Sequence, residues 1–187
     1  MFEELFALHN LGTWDLVPLH SHQNIVKCKW VFRIKYHPDG SIERYRARLV
    51  AKGFQQRPGI DYTETFSLVV KPDTIRTLIS LAVTHQWNLR QLDINNAFLN
   101  GSSQEEVFMA QPPGFINIKF PNYVCKLKKD IYGLKQAPRA WYTELTQFLV
   151  SCGFHRSIAD PSLFIVRDTI APIYLIVCGR HCHHWSQ

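Results

Sequence analysis

The stretch that decides the fold runs from Lys29 to Phe54: KWVFRIKYHPDGSIERYRARLVAKGF. From Val26 to Tyr36, the residues Val26, Cys28, Trp30, Phe32, Ile34 and Tyr36 alternate with Lys27, Lys29, Arg33 and Lys35. A period of two puts apolar side chains on one face of a strand and charged ones on the other. His37-Pro38-Asp39-Gly40 is turn chemistry, and Tyr45, Ala47 and Leu49 then alternate against Arg44, Arg46 and Arg48. A half-buried antiparallel hairpin is expected. If Tyr36 faces Ser41, Phe32 lies opposite Tyr45 and Trp30 opposite Ala47, while the other face sets Arg33 against Arg44 and Lys29 against Arg48. Like charges directly across a ladder are destabilising. Such a face either meets phosphates, which turn the repulsion into attraction, or splays its long side chains into solvent.

Outward from the hairpin, the 187 residues are 46% hydrophobic, 13% aromatic and 19% charged, which suits one folded domain with a real core. The net charge of +6 is unevenly spread. Residues 27–57 hold nine basic and two acidic side chains, and residues 119–139 hold six basic and one acidic, so the remainder carries −6. Two basic blocks on an otherwise acidic chain point to a polyanion partner or to solvated basic faces. No apolar run reaches the roughly 18 residues of a bilayer span, and MFEELFALHN is acidic rather than the basic start of a signal peptide. A soluble intracellular chain is expected, cytoplasmic or nuclear, with no membrane partner. The five cysteines have no CxxC pair and read as reduced thiols.

Further along, Ile75, Leu78, Ile79 and Ala82 predict a helix over 74–87 capped by Asp73 or Thr74. Short strands are expected at 89–94, 107–109 and 124–127, and a glycine turn at Gly133. Pro138 suits the first turn of a helix whose apolar stripe is Trp141, Leu145, Phe148 and Cys152, ended by Gly153. Ser162 to Val166 and Ile173 to Val177 read as a further hairpin. Helices with mostly hairpin-connected strands indicate an α+β fold.

One carboxylate stands apart. Asp93, in Leu92-Asp93-Ile94-Asn95-Asn96-Ala97-Phe98-Leu99-Asn100-Gly101, sits in an otherwise apolar strand, where an isolated charge is costly to bury. A bound cation would remove that cost; a cap on the following turn is the other reading, and spacing does not separate them.

Taken in order, KWVFRIKYHPDGSIERYRARLVAKGF, GIDYTETFSLVVK, TIRTLISLA, QLDINNAFLNG, EEVFMAQPPGF, VCKLKKDIYGLKQAPRAWY and DPSLFI resemble the reverse transcriptase domain of copia-type LTR retrotransposon polyproteins. The resemblance runs from about Thr13 to Val177. It implies the fingers and partial palm of a right-hand polymerase, an antiparallel sheet with packed helices. Arg48, Arg46 and Lys52 would meet the triphosphate of an incoming deoxynucleotide, a task the planar guanidinium fork suits. Asp93 would be the first palm aspartate, bridging two Mg²⁺ ions, with the backbone of Ile94 beside it. Phe98 would be the aromatic wall under the sugar. The Gly133 turn through Lys135, Gln136 and Pro138 would pack beneath the templating base pair. Lys27, Lys29, Arg33, Lys135, Gln136, Pro138 and Arg139 would contact the RNA or DNA primer-template. A place in a larger polyprotein with integrase and RNase H is implied as well.

Two departures stand out. Leu68 replaces a usual proline in Phe66-Ser67-Leu68, which loosens that loop. More consequentially, the family continues after Ile173-Tyr174-Leu175-Ile176-Val177 with Tyr-Val-Asp-Asp, whose aspartates complete the metal site. This chain has Cys178-Gly179-Arg180-His181-Cys182-His183-His184-Trp185-Ser186-Gln187. Those Cys and His residues lack paired zinc-ligand spacing. The codons GTN TGY GGN CGN CAY TGY CAY CAY TGG for Val177 to Trp185, read from the second base, permit Tyr-Val-Asp-Asp-Ile-Val-Ile-Thr-Gly. A frame change near Val177 or Cys178 therefore accounts for the tail. Asp160 and Asp168 are not placed at the site by anything in the sequence. The expected organisation is a lead-in over 1–23, fingers and partial palm over 24–177, and an aberrant tail over 178–187. Template-directed transfer of deoxynucleotides to a primer 3′-hydroxyl is the implied activity, lost in this chain. A non-catalytic nucleic-acid-binding remnant, or an unstable pseudogene product, is the alternative.

Overall fold

The computed structural model describes residues 1–65, 70–92, 94, 97–101, 105–167 and 172–178. The chain divides into two units: Met1–Thr65 with Asn96–Trp141, and Phe66–Asn95 with Tyr142–Gln187.

In the first unit, helix α1 (Phe2–Asn10) precedes strand β1 (Trp14–Pro18), and β2 (Ile25–Val26) leads to the hairpin of β3 (Cys28–Tyr36) and β4 (Ile42–Ala51). Strands β5 (Phe108–Met109) and β6 (Tyr123–Leu127) complete a four-stranded sheet of order β1-β6-β5-β2. Its pairs are antiparallel except β2 with β5, which is parallel, so the wholly antiparallel sheet expected from the sequence does not hold here. The core gathers Leu8, Val26, Cys28, Leu49, Val107, Met109, Cys125, Leu127 and Ile131. Each large apolar side chain buried there contributes on the order of 1.5–3 kcal/mol.

The hairpin forms with the two faces the alternation predicts, but in a register two residues away from the expected one. Arg33 opposes Arg46, Lys35 opposes Arg44, Val31 opposes Arg48 and Lys29 opposes Val50, while Phe32 opposes Ala47 and Trp30 opposes Leu49. A shift of two keeps every side chain on its face. The cause is the turn. Ser41 donates its backbone N–H (2.9 Å) and its hydroxyl (2.6 Å) to Asp39 Oδ1, His37 N–H bonds Ser41 O at 2.8 Å, and an irregularity between Lys35 and Tyr36 sets Tyr36 opposite Ile42. Nor is the apolar face buried along its length. At the root Leu49 is 1% exposed, whereas Phe32 and Tyr45 nearer the tip are 68% and 73% exposed. A two-stranded ribbon covers only one side of itself, so its apolar face is buried only where another element lies against it.

In the second unit, helix α2 spans Pro72–Thr84 and strands β7 (His155–Arg156), β8 (Leu163–Arg167) and β9 (Pro172–Ile176) form an antiparallel sheet in that order. α2 begins two residues before the expected start, because Pro72 fits the first helical turn, where an N–H is not needed. Neither Asp73 nor Thr74 is its cap residue, which is Lys71. Residues 89–92 and 94 belong to no strand, and Asp93 lies outside the described residues. Helix α3 (Ala137–Ser151) contains the boundary between the units. Its expected stripe holds in part: Trp141 and Leu145 are half-buried, but Phe148 is 63% exposed and Cys152 is exposed, while Leu149 is buried and Tyr142 and Thr146 are half-buried. The Tyr142 hydroxyl donates to Pro161 O at 2.7 Å. Among the described residues, no helix is long and apolar enough to cross a membrane.

Candidate nucleotide and nucleic-acid interface

The end of β4 and the Gly133 turn are locked backbone to backbone. Ala51 N–H donates to Tyr132 O at 2.7 Å. A Cβ on Gly133 would lie 2.2 Å from Ala51 O, and one on Gly53 would lie 2.1 Å from Gly133 O. Gly133 also has φ +94°, a left-handed conformation that costs little only for glycine.

That approach brings Tyr132 under Arg48. The guanidinium carbon of Arg48 lies 4.9 Å from the ring centre, a cation–π separation. Phe98 meets the same ring edge-on, with centroids 5.2 Å apart and planes at 76°. Arg48 Nε is buried and has no hydrogen-bond partner among the described residues. A buried donor left unmade costs roughly 1–3 kcal/mol. Arg48, Phe98 and Gly133, expected at a nucleotide site, are thus joined through Tyr132, which the sequence reading did not single out. Arg46 projects from the same face of β4, opposite Arg33. Lys52 follows β4, its N–H donating to Lys27 O at 2.7 Å. Ile94 is exposed and belongs to the second unit.

The expected nucleic-acid contacts fall into two kinds. Lys27, Lys29 and Arg33 are exposed on or beside the hairpin, and among the described residues none of them forms an ion pair. The second group is tied into the fold. Gln136 is 1% exposed: it receives Gln56 Nε2 at 2.9 Å and donates to Asp130 Oδ1 at 3.0 Å, while Lys135 N–H donates to Gln56 Oε1 at 2.9 Å. Lys135 Nζ reaches the Tyr62 hydroxyl at 3.0 Å and lies 4.7 Å from its ring centre. Arg139 pairs with Glu64 at 3.2 Å, and Pro138 is in the first turn of α3. Lys126 pairs with Glu106, and Lys128 with Asp15 at 2.8 Å. In the sequence this inner network shows only as Gln136 lying in the segment from the Gly133 turn to Pro138.

In the second unit, Asp160 is buried at the start of α2. It accepts the Thr74 hydroxyl (2.5 Å), Lys71 N–H (3.1 Å), and the Ser162 N–H (2.9 Å) and hydroxyl (2.6 Å). Burial alone would raise its pKa, but these donors outweigh it and hold the carboxyl at about 2. Its oxygens cap a helix. Among the described residues no three His, Cys, Asp or Glu side chains assemble as metal ligands; Asp93 and Asp168 lie outside them. Cys28 and Cys125 are free and buried, and burial pushes their thiols up to about 11 and about 12.

Comparison with known proteins agrees with the motifs. Residues 11–178 match the family model described as reverse transcriptase (RNA-dependent DNA polymerase). The chain belongs to this family, as the copia-type reverse transcriptase domain of a retrotransposon Pol polyprotein. It is 56% identical over 178 residues to the retrovirus-related Pol polyprotein from transposon RE1 of Arabidopsis thaliana, covering 95% of this chain and 12% of that one. The corresponding polyprotein from transposon RE2 of the same plant is 55% identical over 178 residues, with the same coverage. That from transposon TNT 1-94 of Nicotiana tabacum is 46% identical over 167 residues, covering 89% of this chain and 13% of the relative. The chain therefore spans only 12–13% of the length of these relatives. No solved structure matches.

Proposed function

We propose that residues 24–177 are the fingers and part of the palm of a retrotransposon RNA-directed DNA polymerase, with 1–23 as lead-in and 178–187 as a frame-shifted tail. The observation that carries the reading is Arg48, seated on Tyr132 beside Phe98 with its Nε unpartnered. Arg48 and Arg46, with Lys52, receive the triphosphate of a deoxynucleotide, and Phe98 lies under its sugar. Lys27, Lys29 and Arg33 hold primer-template phosphates. Lys135, Gln136, Pro138 and Arg139 act beneath the templating pair, Gln136 by fixing the turn from within, since its side chain is buried. Asp93, with the backbone of Ile94, is the Mg²⁺ ligand of this reading. Two such ions, when bound, activate the primer hydroxyl and hold the leaving pyrophosphate. Integrase and RNase H regions belong to the larger polyprotein in which the domain arose.

As it stands, the chain does not polymerise. Where the family continues Tyr-Val-Asp-Asp it has Cys178-Gly179-Arg180-His181, and the family match stops at residue 178. One carboxylate does not fix a magnesium pair. A primer-extension assay on a poly-A template is expected to give no product; extension that disappears in Asp93→Ala would contradict this. Codons for Cys178 to Trp185 that fail to spell two aspartates in the shifted frame would rule out the frame change. The alternative of a non-catalytic nucleic-acid-binding module is favoured by the same basic hairpin. It predicts primer-template binding with a steep salt dependence.

A further inference from the structure

Gln56, shortly past the end of β4, is 4% exposed and is hydrogen-bonded at both ends of its side-chain amide. Its Oε1 accepts Lys135 N–H at 2.9 Å, and its Nε2 donates to Gln136 Oε1 at 2.9 Å. Gln136 in turn donates its Nε2 to Asp130 Oδ1 at 3.0 Å, and Asp130 is wholly buried. A main-chain N–H can only donate and the Asp130 oxygen accepts, so the two amides between them must point the same way. Reversing either one sets oxygen against oxygen at one joint and N–H against N–H at the other. Gln56 Nε2 also lies 3.5 Å from Asp61 O, at the outer edge of hydrogen-bond range, where little is gained.

This chain of amides brackets Tyr132. The Asp130–Gln136 bond closes the segment that holds Tyr132 and Gly133, and Lys135 and Gln136 fasten that segment to Gln56. From the other side, Ala51 N–H holds Tyr132 O. Arg48, on the same strand as Ala51, rests on the Tyr132 ring. We propose that Gln56 is a positioning residue: through Lys135 and Gln136 it holds the Tyr132 ring under the Arg48 guanidinium, and so places the phosphate-binding arginine without touching the ligand. The proposal rests on the reading of Arg48 as a phosphate ligand, but the seating of the arginine is observable with no ligand present.

The one-way order of the amides makes a loss and its repair specific. In Gln56→Glu a carboxylate oxygen replaces the donor to Gln136, which is left between two acceptors that its one NH2 group cannot both reach. Adding Asp130→Asn supplies a donor at the far end. Gln136 then turns over, donating to the new carboxylate and accepting from the new amide, and the chain runs in the reverse sense with the original net charge.

The test uses the full chain, with each variant held well below its own melting transition. The variants are Gln56→Glu, Asp130→Asn, the two combined, Gln56→Met and Arg48→Ala. Two quantities are read: the NMR shifts of the Arg48 side-chain protons, which the Tyr132 ring current displaces, and calorimetric affinity for inorganic tripolyphosphate at low ionic strength. In Gln56→Glu the Arg48 signals are expected to move toward those of an unstacked arginine, with binding weaker by about five- to tenfold. In the Asp130→Asn background the same substitution is expected to cost less than about twofold and to leave the Arg48 signals in place. Gln56→Met, which removes both hydrogen bonds without adding charge, is expected to behave as Gln56→Glu does, and it carries the comparison if Gln56→Glu fails to fold. Arg48 signals that stay at their wild-type positions in the Gln56 variants, whatever their melting temperatures, overturn the positioning role. So does an equal cost of Gln56→Glu in both backgrounds. The phosphate reading fails separately: if wild type does not bind tripolyphosphate, or Arg48→Ala does not weaken binding by at least about tenfold, Arg48 is no phosphate ligand, while its seating by Gln56 stands on the NMR shifts.

Discussion

The two basic blocks of this chain have nearly the same composition and opposite fates. In residues 119–139 four of the six basic side chains are engaged by the fold: Lys126 meets Glu106, Lys128 meets Asp15, Arg139 meets Glu64, and Lys135 lies against Tyr62. In the hairpin, Arg33 faces Arg46 and Lys35 faces Arg44 across the ladder, with Glu43 beside Arg44 as the one acid paired within it. Local charge density therefore says little about partners until long-range pairing is known. A block whose charges meet acids elsewhere in the chain builds structure, and a block that sets like charges against each other leaves them to solvent or to a polyanion.

If this division is right, substitutions in the second block cost stability and those on the hairpin cost binding. The largest stability effect is expected from Gly133→Ala, which forces a side chain into a left-handed conformation 2.2 Å from Ala51 O. It should lower unfolding free energy by about 3 kcal/mol or more in urea titration. Gln136→Leu removes the buried hydrogen bonds from Gln56 Nε2 and to Asp130 Oδ1, and about 2–3 kcal/mol should be lost in the same assay. Arg33→Thr should act in the opposite sense: relief of the facing Arg46 raises stability by about 0.2–1 kcal/mol. Lys128→Ala removes an exposed pair with Asp15 and should change stability by less than about 1 kcal/mol. A Lys128→Ala loss larger than that of Gln136→Leu, or a destabilised Arg33→Thr, would blur the contrast between the blocks.

How far the sequence alone reaches follows from what is local. The two faces of the hairpin were legible because side-chain alternation has a period of two, whatever the partner strand does. Its register was not, since the Asp39–Ser41 turn and the irregularity at Tyr36 decide it. The α3 stripe was legible only at Trp141 and Leu145, because a helical period admits neighbouring stripes and Tyr142 and Thr146 count as polar in sequence. Gly133 was legible as a turn, but its role as the seat of Tyr132 beneath Arg48 depends on β4, far away in the chain. The burial of Gln136 depends on Gln56, 80 residues earlier. At the candidate site the motif resemblance pointed to Arg48, Phe98 and Gly133 but not to the ring that joins them, because aromatic stacking carries no fixed sequence spacing.

The most direct test of the contrast is the salt dependence of primer-template binding by wild type, Lys29→Ala/Arg33→Ala and Lys126→Ala/Lys128→Ala. If the hairpin meets phosphates and the second block does not, the hairpin variant loses about two from the slope of log affinity against log salt, while the other keeps the wild-type slope. An unchanged slope for the hairpin variant, or an equal loss in both, would contradict that assignment.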